Sequence, residues 1–410
     1  MEKKSAAPAT NAKMSKCIPE ELSFAILSKL PLKSLKRFGC VSKSWSLLFT
    51  NHRFMNMFRG NFLSNLHCCS YYDQSSLLLK FAEHEPFKEV LYSLSGEMFE
   101  NKVKLDCSNP FTNQYLYRIF GFGSINGIFC LHKCDDISKI TLWNPTTQEI
   151  KLIPPSLVVE SIVSSIPSFF KDFVNIFGLS NVHGFGYDNV TDDYKIIRYV
   201  YFLCNINVTD DYSRANTFLD DFWEIYSLRS NSWRKYDVVD MPSSMYCIDG
   251  TQVYMDGVCH WLSQENCPSG VCLVSFYLSN EKFTITHVPS NEDDGYEFQA
   301  PWINLVMLNG YIAVISFNQE TTTFHISILG EISVEESWAK HFIVVTLPCV
   351  DRPIGMGTKG EIFFIRKDNQ LVWVNLCTLV IEEVDFKEVC DTSRIIIYKE
   401  STQPIGGISN

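Results

Sequence analysis

Fifteen cysteines are the first residues to weigh, because a thiolate can attack a carbonyl, hold a metal or close a disulfide. Their number is odd, and they scatter from Cys17 to Cys390 with no Cys-x-x-Cys pair. Cys130, His132 and Cys134 are close enough to open a zinc site, but no second ligand pair at zinc-finger spacing completes it, so a buried strand is the better reading. His260 beside Trp261 is a candidate base, but its strand-like run suits a hydrogen-bonded core or rim histidine. Asp192-Asp193 and Glu335-Glu336 offer paired carboxylates, but adjacent residues of a strand face opposite ways and make no acid/base couple. Gly121-Phe122-Gly123 leads into a hairpin rather than a helix N-terminus, so its glycines build no phosphate cradle. Gly-x-Ser-x-Gly does not occur. The expectation is a chain with no catalytic residue, metal or cofactor.

Composition narrows the class further. The 410 residues are 46% hydrophobic and 14% aromatic, with a net charge of -11 and a pI near 5.4. That is ample for a core, and the length asks for two units or one large β-architecture with an appendage. No long Lys/Arg cluster supplies the basic patch of a nucleic-acid binder. No apolar run approaches the roughly 18 residues of a membrane span. Residues 1–17, mostly Ala, Ser, Pro, Asn and Lys, read as a disordered tail with no apolar signal segment. Localisation is therefore expected to be the reducing cytosol or nucleus, where scattered thiols act as small hydrophobes and the sequons at Asn189 and Asn207 carry no weight.

The elements that must position any function fall into two kinds. From Ile18 to about Phe58 the period is helical. Pro19 suits a first helical turn, Glu20 and Glu21 suit the positive end of the helix dipole, and Leu22, Ile26, Leu27 and Leu30 form a stripe that Pro31 ends. Further short helices are predicted through Leu35 and Phe38, around Val41, Trp45 and Leu48, and around Phe54 and Phe58. So short a segment buries little surface by itself, so its apolar faces need either the rest of the chain or a partner.

The order Ile18-Pro19-Glu20-Glu21, Ile26-Leu27, Leu30-Pro31, Leu35, Arg37-Phe38, Val41-Ser42-Lys43, Trp45 and Phe54 resembles the F-box motif. Ile18 stands where the family often has Leu, and Ser42 where it often has Cys. The resemblance implies docking on a Skp-type adaptor that is itself bound to a cullin. By carry-over, Ile18 and Pro19 would open the docking surface, and Ile26, Leu27, Leu30 and Pro31 would form its apolar centre. Leu35, Val41 and Trp45 would complete it or brace it from behind.

Beyond residue 60, short apolar-aromatic runs alternate with turns. X-Gly turns precede apolar strands at Asn126-Gly127, Asp256-Gly257, Asn309-Gly310 and Lys359-Gly360, the first three being hairpin signals because Asn, Asp and Gly tolerate positive φ. Each is followed by an aromatic strand: Thr141–Pro145, Val274–Leu278, Phe324–Ile328 and Val372–Leu376. Another unit runs through His183–Asp188, Asp193–Ile197 and Trp223–Leu228. Repeats of about fifty residues, four short strands each, are what β-propeller blades require. Leu77–Leu105 reads as a further, partial blade, and Arg394–Tyr398 as the strand that closes on it.

The units resemble the plant F-box-associated domain in Gly123-Ser124-Ile125-Asn126-Gly127, Leu142-Trp143-Asn144-Pro145, Gly184-Phe185-Gly186-Tyr187-Asp188, Asp193-Tyr194-Lys195 and Ile225-Tyr226-Ser227-Leu228. The general layout is similar to that of S-locus F-box proteins. The fold class expected is α+β, mainly β: a small helical F-box over 18–58, then a β-propeller-like domain over 75–400. Inserts at Ser156–Asn181, Leu203–Asp221 and Ser290–Pro301 map to loops, which often bind. The first is apolar and either packs as a helix or offers contact area; the third carries Glu292, Asp293, Asp294 and Glu297. The resemblance implies a non-catalytic receptor that brings a target protein to a ubiquitin ligase, with or without degradation. The competing class is a propeller enzyme or carbohydrate binder, which a central pocket of converging carboxylates and histidine would favour.

Overall fold

The computed structural model describes residues 19–30, 34, 37–38, 43–47, 51, 53–54, 57–58, 61, 75–84, 87–105, 117–121, 123–133, 139–165, 174–206, 212–214, 220–237, 246–247, 252–264, 271–288, 302–308, 310–318, 323–330, 332, 338–344, 350–376, 380–386 and 393–406. The chain divides into two compact units, Met1–Phe62 and Leu63–Asn410.

The first unit contains α1 (Glu20–Leu27) and α2 (Lys43–Ser46). Pro19, expected inside the first turn, stands one place before it at φ −54° and ψ 141°, and its carbonyl accepts the Ser23 N–H at 3.0 Å. The extended ψ makes it the half-in flanking residue, a place where its missing N–H costs nothing. The regular helix ends ahead of Pro31, not at it. The last turn tightens to bonds from Lys29 N to Ile26 O (3.2 Å) and from Leu30 N to Leu27 O (3.1 Å). The residue before a proline avoids the α region, so the chain unwinds early.

In the second unit, 26 strands form six antiparallel sheets among the described residues. Blade 1 holds β1 (Ser75–His84), β2 (Phe87–Ser95) and β3 (Asn101–Lys104), and blade 2 holds β4 (Tyr117–Ile119), β5 (Phe129–Lys133), β6 (Ile140–Asn144) and β7 (Glu149–Leu152). Blade 3 holds β8 (Val174–Asp188), β9 (Asp193–Ile206), β10 (Tyr212–Arg214), β11 (Phe222–Ser227) and β12 (Ser232–Tyr236). Blade 4 holds β13 (Tyr246–Cys247), β14 (Val253–Met255), β15 (Val258–Gln264), β16 (Val271–Tyr277) and β17 (Lys282–His287). Blade 5 holds β18 (Trp302–Leu308), β19 (Tyr311–Asn318), β20 (Thr323–Leu329) and β21 (Trp338–Val344). Blade 6 holds β22 (Val350–Met356), β23 (Glu361–Arg366), β24 (Leu371–Asn375) and β25 (Ile381–Glu383).

The final strand, β26 (Arg394–Lys399), returns to pair with β1, with Leu78 opposite Ile396, so blade 1 is a full four-stranded sheet. Innermost strands β8, β14, β18, β22 and β26 pack in sequence around the axis, and Gly123 bridges Ile397 to close the ring. This is a six-bladed β-propeller. A Cβ on Gly123 would lie 3.0 Å from the Ile397 carbonyl, which explains a glycine at that closure.

The core lies between blades. In β1, Leu77 and Leu79 pack toward Phe363 and Trp373 of blade 6, whereas Leu78 packs toward Phe129 and Trp143 of blade 2. Because both faces are covered, side-chain alternation sends neighbours into two different cores, and the central strands read as unbroken apolar runs.

Turn chemistry fixes the hairpins. Asn126 and Gly127 have φ of 49° and 83° between Ile125 and Ile128; Asp256 and Gly257 have 48° and 82° between Met255 and Val258. Lys359-Gly360 departs from this pattern. Only Gly360 is left-handed (φ 87°), and Gly357 N bonds Glu361 O at 2.7 Å around a three-residue loop. Lysine pays more for positive φ than Asn or Asp, so the longer loop places the glycine alone there. Gly257→Ala should cost about 1–2 kcal/mol, since φ alone is strained and the new Cβ finds nothing nearer than 3.8 Å. Gly127→Ala should cost roughly 1–3 kcal/mol more, because its Cβ would sit 2.5 Å from Ser401 Cβ. Denaturation midpoints of the two variants check the order.

Two inserts differ from simple loops. Ser156 begins α3 (Leu157–Ser165), whose Val158, Val159, Ile162 and Val163 pack on Val200, Phe202 and Phe222 of blade 3. Leu203–Asp221 is partly strand. β8 and β9 pair from Asp188/Asp193 out to Val174/Ile206, and β10 adds to β9 at Leu203–Asn205. Backbone pairing simply continues past the end of β11, where β9 leaves Phe222 behind. Ser290–Pro301 lies outside the described residues.

Candidate functional site

The helical unit buries one side of α1 and exposes the other. Phe24 and Leu27 are buried, with the Phe24 ring edge-on to Phe54 at 5.4 Å and Phe54 stacked on Phe58 at 6.3 Å. Asn61 Nδ2 donates to the Ser28 hydroxyl at 2.7 Å, and Arg53 pairs with Glu21 at 3.0 Å. On the other side Leu22 is 56% and Ile26 58% exposed, and Leu47 and Phe38 are exposed too. Phe38 meets Trp45 edge-on at 5.5 Å. Among the expected docking residues, Pro19 and Ile26 are exposed, Leu30 and Trp45 half-buried, and Leu27 buried. Ile18, Pro31, Leu35 and Val41 lie outside the described residues. Leu22 and Leu47 join the exposed set without having been singled out as docking residues, and Phe24 is the inward anchor that the stripe overlooked.

The propeller has two unlike faces. Strand direction alternates, so first-to-second and third-to-fourth connections emerge on one face and all others on the opposite face. The first face carries tight turns: Asn126-Gly127, Pro145–Gln148, Asn189–Asp192, Arg229–Asn231 and Asp256-Gly257. Asn144 Oδ1 accepts from Thr146 N (3.0 Å) and Thr147 N (3.4 Å), and Asp188 Oδ1 accepts from Val190 N (3.0 Å) and Thr191 N (3.4 Å). One carboxylate and one amide thus build the same turn. Asp192 turns to Tyr187, whereas Asp193 is buried and accepts from Ser227 Oγ (2.5 Å) and Arg229 N (2.8 Å), so the two carboxylates do not converge. The opposite face carries the longer connections, from Leu152 to Val174, Ile206 to Phe222, Tyr236 to Tyr246 and His287 to Trp302, and the extended β8–β9 arm.

On the axis lies a cavity of about 110 Å³ to which every blade contributes: Ile397, Phe120, His183, Gln252, Val306 and Met356 in blade order. Among the described residues no Asp, Glu, Lys or Arg lines it. His260 is part of its wall, wholly buried, with Nδ1 2.9 Å from Ser275 Oγ. Burial pushes its pKa from 6.5 down to about 3, so the ring is neutral. The unfolded chain therefore binds the extra proton between those pH values. Stability from this group is complete above pH 6.5 and falls as pH drops toward 3, by up to about 1.4 kcal/mol per pH unit. His260→Gln should flatten that part of a stability-against-pH curve measured by urea denaturation.

Cys130 and Cys259 are buried, and burial pushes both thiols well above their ordinary range. Cys134 lies outside the described residues, and no metal-holding group of His, Cys, Asp or Glu occurs among the described ones.

Residues 82–402 match the F-box associated beta propeller domain, and residues 16–56 match the F-box domain. The chain is 25% identical to the F-box protein CPR1 of Arabidopsis thaliana, over 88% of this chain and 82% of that one. It is 26% identical to the Arabidopsis thaliana F-box protein At1g52495 over 58% of this chain and 49% of that one. For several of the relatives that it matches, the chain spans about half to two thirds of their length. A solved oligogalacturonate lyase in complex with manganese aligns at 9% identity and a TM-score of 0.39, over 79% of this chain and 78% of that one, too low to carry any inference. The family-model match spans most of the propeller, and the chain belongs to the F-box proteins with an F-box associated beta propeller domain.

Proposed function

We propose that this chain is the substrate-recognition subunit of a Skp–cullin–F-box ubiquitin ligase. The helical unit docks on a Skp-type adaptor and through it on a cullin, and the propeller holds a target protein on the face with the long connections. The observation that carries the reading is the second apolar side of α1. Its inward side is already occupied by the unit's own phenylalanines, yet Leu22 and Ile26 remain exposed on a short helix. Exposed apolar clusters of that kind mark interaction sites. Ile26 and Leu22 are the contact centre, flanked by Ile18, Pro19, Leu30 and Pro31, while Leu27 braces from behind; Leu35, Val41 and Trp45 complete the surface.

The receptor contributes proximity rather than chemistry. It holds the target near a ubiquitin-loaded enzyme and raises effective concentration. The match to the F-box family supports this non-catalytic, adaptor-type role. The site of action is the reducing cytosol or nucleus.

Affinity purification with mass spectrometry tests the division of labour. Removing residues 1–60 should eliminate adaptor and cullin and leave the target; retention of the adaptor would overturn the docking assignment. Incubated with ubiquitin and its activating and conjugating enzymes, the chain should form no reducible thioester. A thioester on any of its fifteen cysteines would overturn the receptor role.

A further inference from the structure

The axial cavity belongs to neither binding role. We propose that it is a binding site for one small, uncharged aromatic molecule that carries a single hydrogen-bonding group, seated with that group at His260 Nε2.

Neutrality follows from the lining. With no charged side chain among the described lining residues, a bound ion would be stripped of water and left uncompensated. An aromatic body follows from Phe120, Phe185, Met307 and Met356 in the wall, since rings pack edge-on against rings and favourably against thioether sulfur. Size follows from the 110 Å³ volume, which is below the roughly 150 Å³ of a cavity that takes benzene, so no more than one ring fits.

The single polar group follows from which lining atoms are already engaged. Tyr254 Oη donates to Tyr187 O at 2.7 Å and accepts from Gly257 N at 3.2 Å. Ser124 Oγ accepts from Lys399 N at 3.1 Å, and Gln252 makes a further contact. The His183 ring, whose Nε2 makes no hydrogen bond among the described residues, packs against Trp223 and Trp261 at 4.7 and 5.6 Å. His260 Nδ1 is held by Ser275, whereas Nε2 has no hydrogen-bond partner among the described residues. An apolar body with one donor or acceptor at that nitrogen suits such a wall.

The test uses the full-length chain with isotope-labelled methionine methyl groups, titrated separately with phenol, toluene and benzoate. Of the ten methionines, Met307 and Met356 should shift saturably with phenol. Toluene should bind about tenfold more weakly, and benzoate should leave both signals in place. His260→Phe should bring phenol down to the toluene level, and Val306→Phe, which fills the cavity from blade 5, should abolish the shifts. Met356→Phe fills it from blade 6 and is read on the Met307 signal, so one folded variant of the two suffices. Phenol that leaves both methyl signals of the folded wild-type chain unmoved overturns the proposal. So does benzoate binding as tightly as phenol, or phenol binding unchanged in a folded cavity-filling variant.

Discussion

Ile26→Ala should weaken binding to a Skp-type adaptor by about 30- to 1000-fold while leaving the chain's own stability nearly unchanged. Ile26 is 58% exposed, so its truncation removes little from the folded chain. In a complex it becomes a buried anchor, and truncating such a side chain costs about 2–4 kcal/mol. Leu22→Ala should behave alike. Phe24→Ala and Leu27→Ala should do the reverse: both are buried in the free chain, so they should first loosen the helical unit, read as faster amide exchange over residues 19–61. Leu30→Ala combined with Pro31→Ala should weaken binding further than either alone. Lys29→Ala, on an exposed turn, and Lys33→Ala should stay within about 0.5 kcal/mol. Calorimetry with purified adaptor decides. Equal losses from the lysine and Ile26 variants would mean that the contact face is misplaced.

The second large effect is expected inside blade 3. Glu224 is fully buried; Arg198 Nε donates to its Oε1 at 2.6 Å and the Ser156 hydroxyl donates to its Oε2 at 2.6 Å. The Arg198 guanidinium lies 3.7 Å from the Trp233 ring centre, and Trp233 Nε1 donates to Pro154 O at 2.8 Å. Burial pulls the Arg198 pKa below its usual range, and Glu224 opposes the fall. Removing one partner leaves the other charge buried and alone, so Arg198→Met or Glu224→Leu should each cost about 3–5 kcal/mol. Replacing both together should cost less than the worse single change, because no unpaired charge remains. Denaturant midpoints of the four proteins give the cycle. Single changes below about 1 kcal/mol would show that water reaches the pair. Ser156 also fixes the start of α3, so Glu224→Leu should loosen that helix in amide exchange before it loosens blade 4.

Much of this architecture is set by neighbours in the chain. Asn126-Gly127 and Asp256-Gly257 turn as they do because those residue types tolerate positive φ, a preference that needs no tertiary context. Strand runs were legible for a similar reason, since burial on both faces requires apolar residues at successive positions. The closing strand Arg394–Lys399 could be anticipated because an isolated apolar run needs a sheet edge, and Leu77–Leu105 lacked a strand. The apolar content of α1 was equally plain.

Which side of α1 faces inward was not. Phe24 with Leu27 and Leu22 with Ile26 both satisfy helical spacing, and only Phe54 and Phe58, beyond α2 in the chain, select between them. The β8–β9 arm looked like an insert because strand pairing beyond a blade depends on a partner strand rather than on composition. Glu224 and Arg198 meet only through the register of β11 on β9, and the axial cavity draws one wall from each of six blades. Local sequence determined the turns, the strands and the apolar helix, because those follow from φ preferences and periodicity. Tertiary structure alone decided the exposed face, the buried ion pair and the cavity, because each is made by residues that only chain closure brings within contact distance.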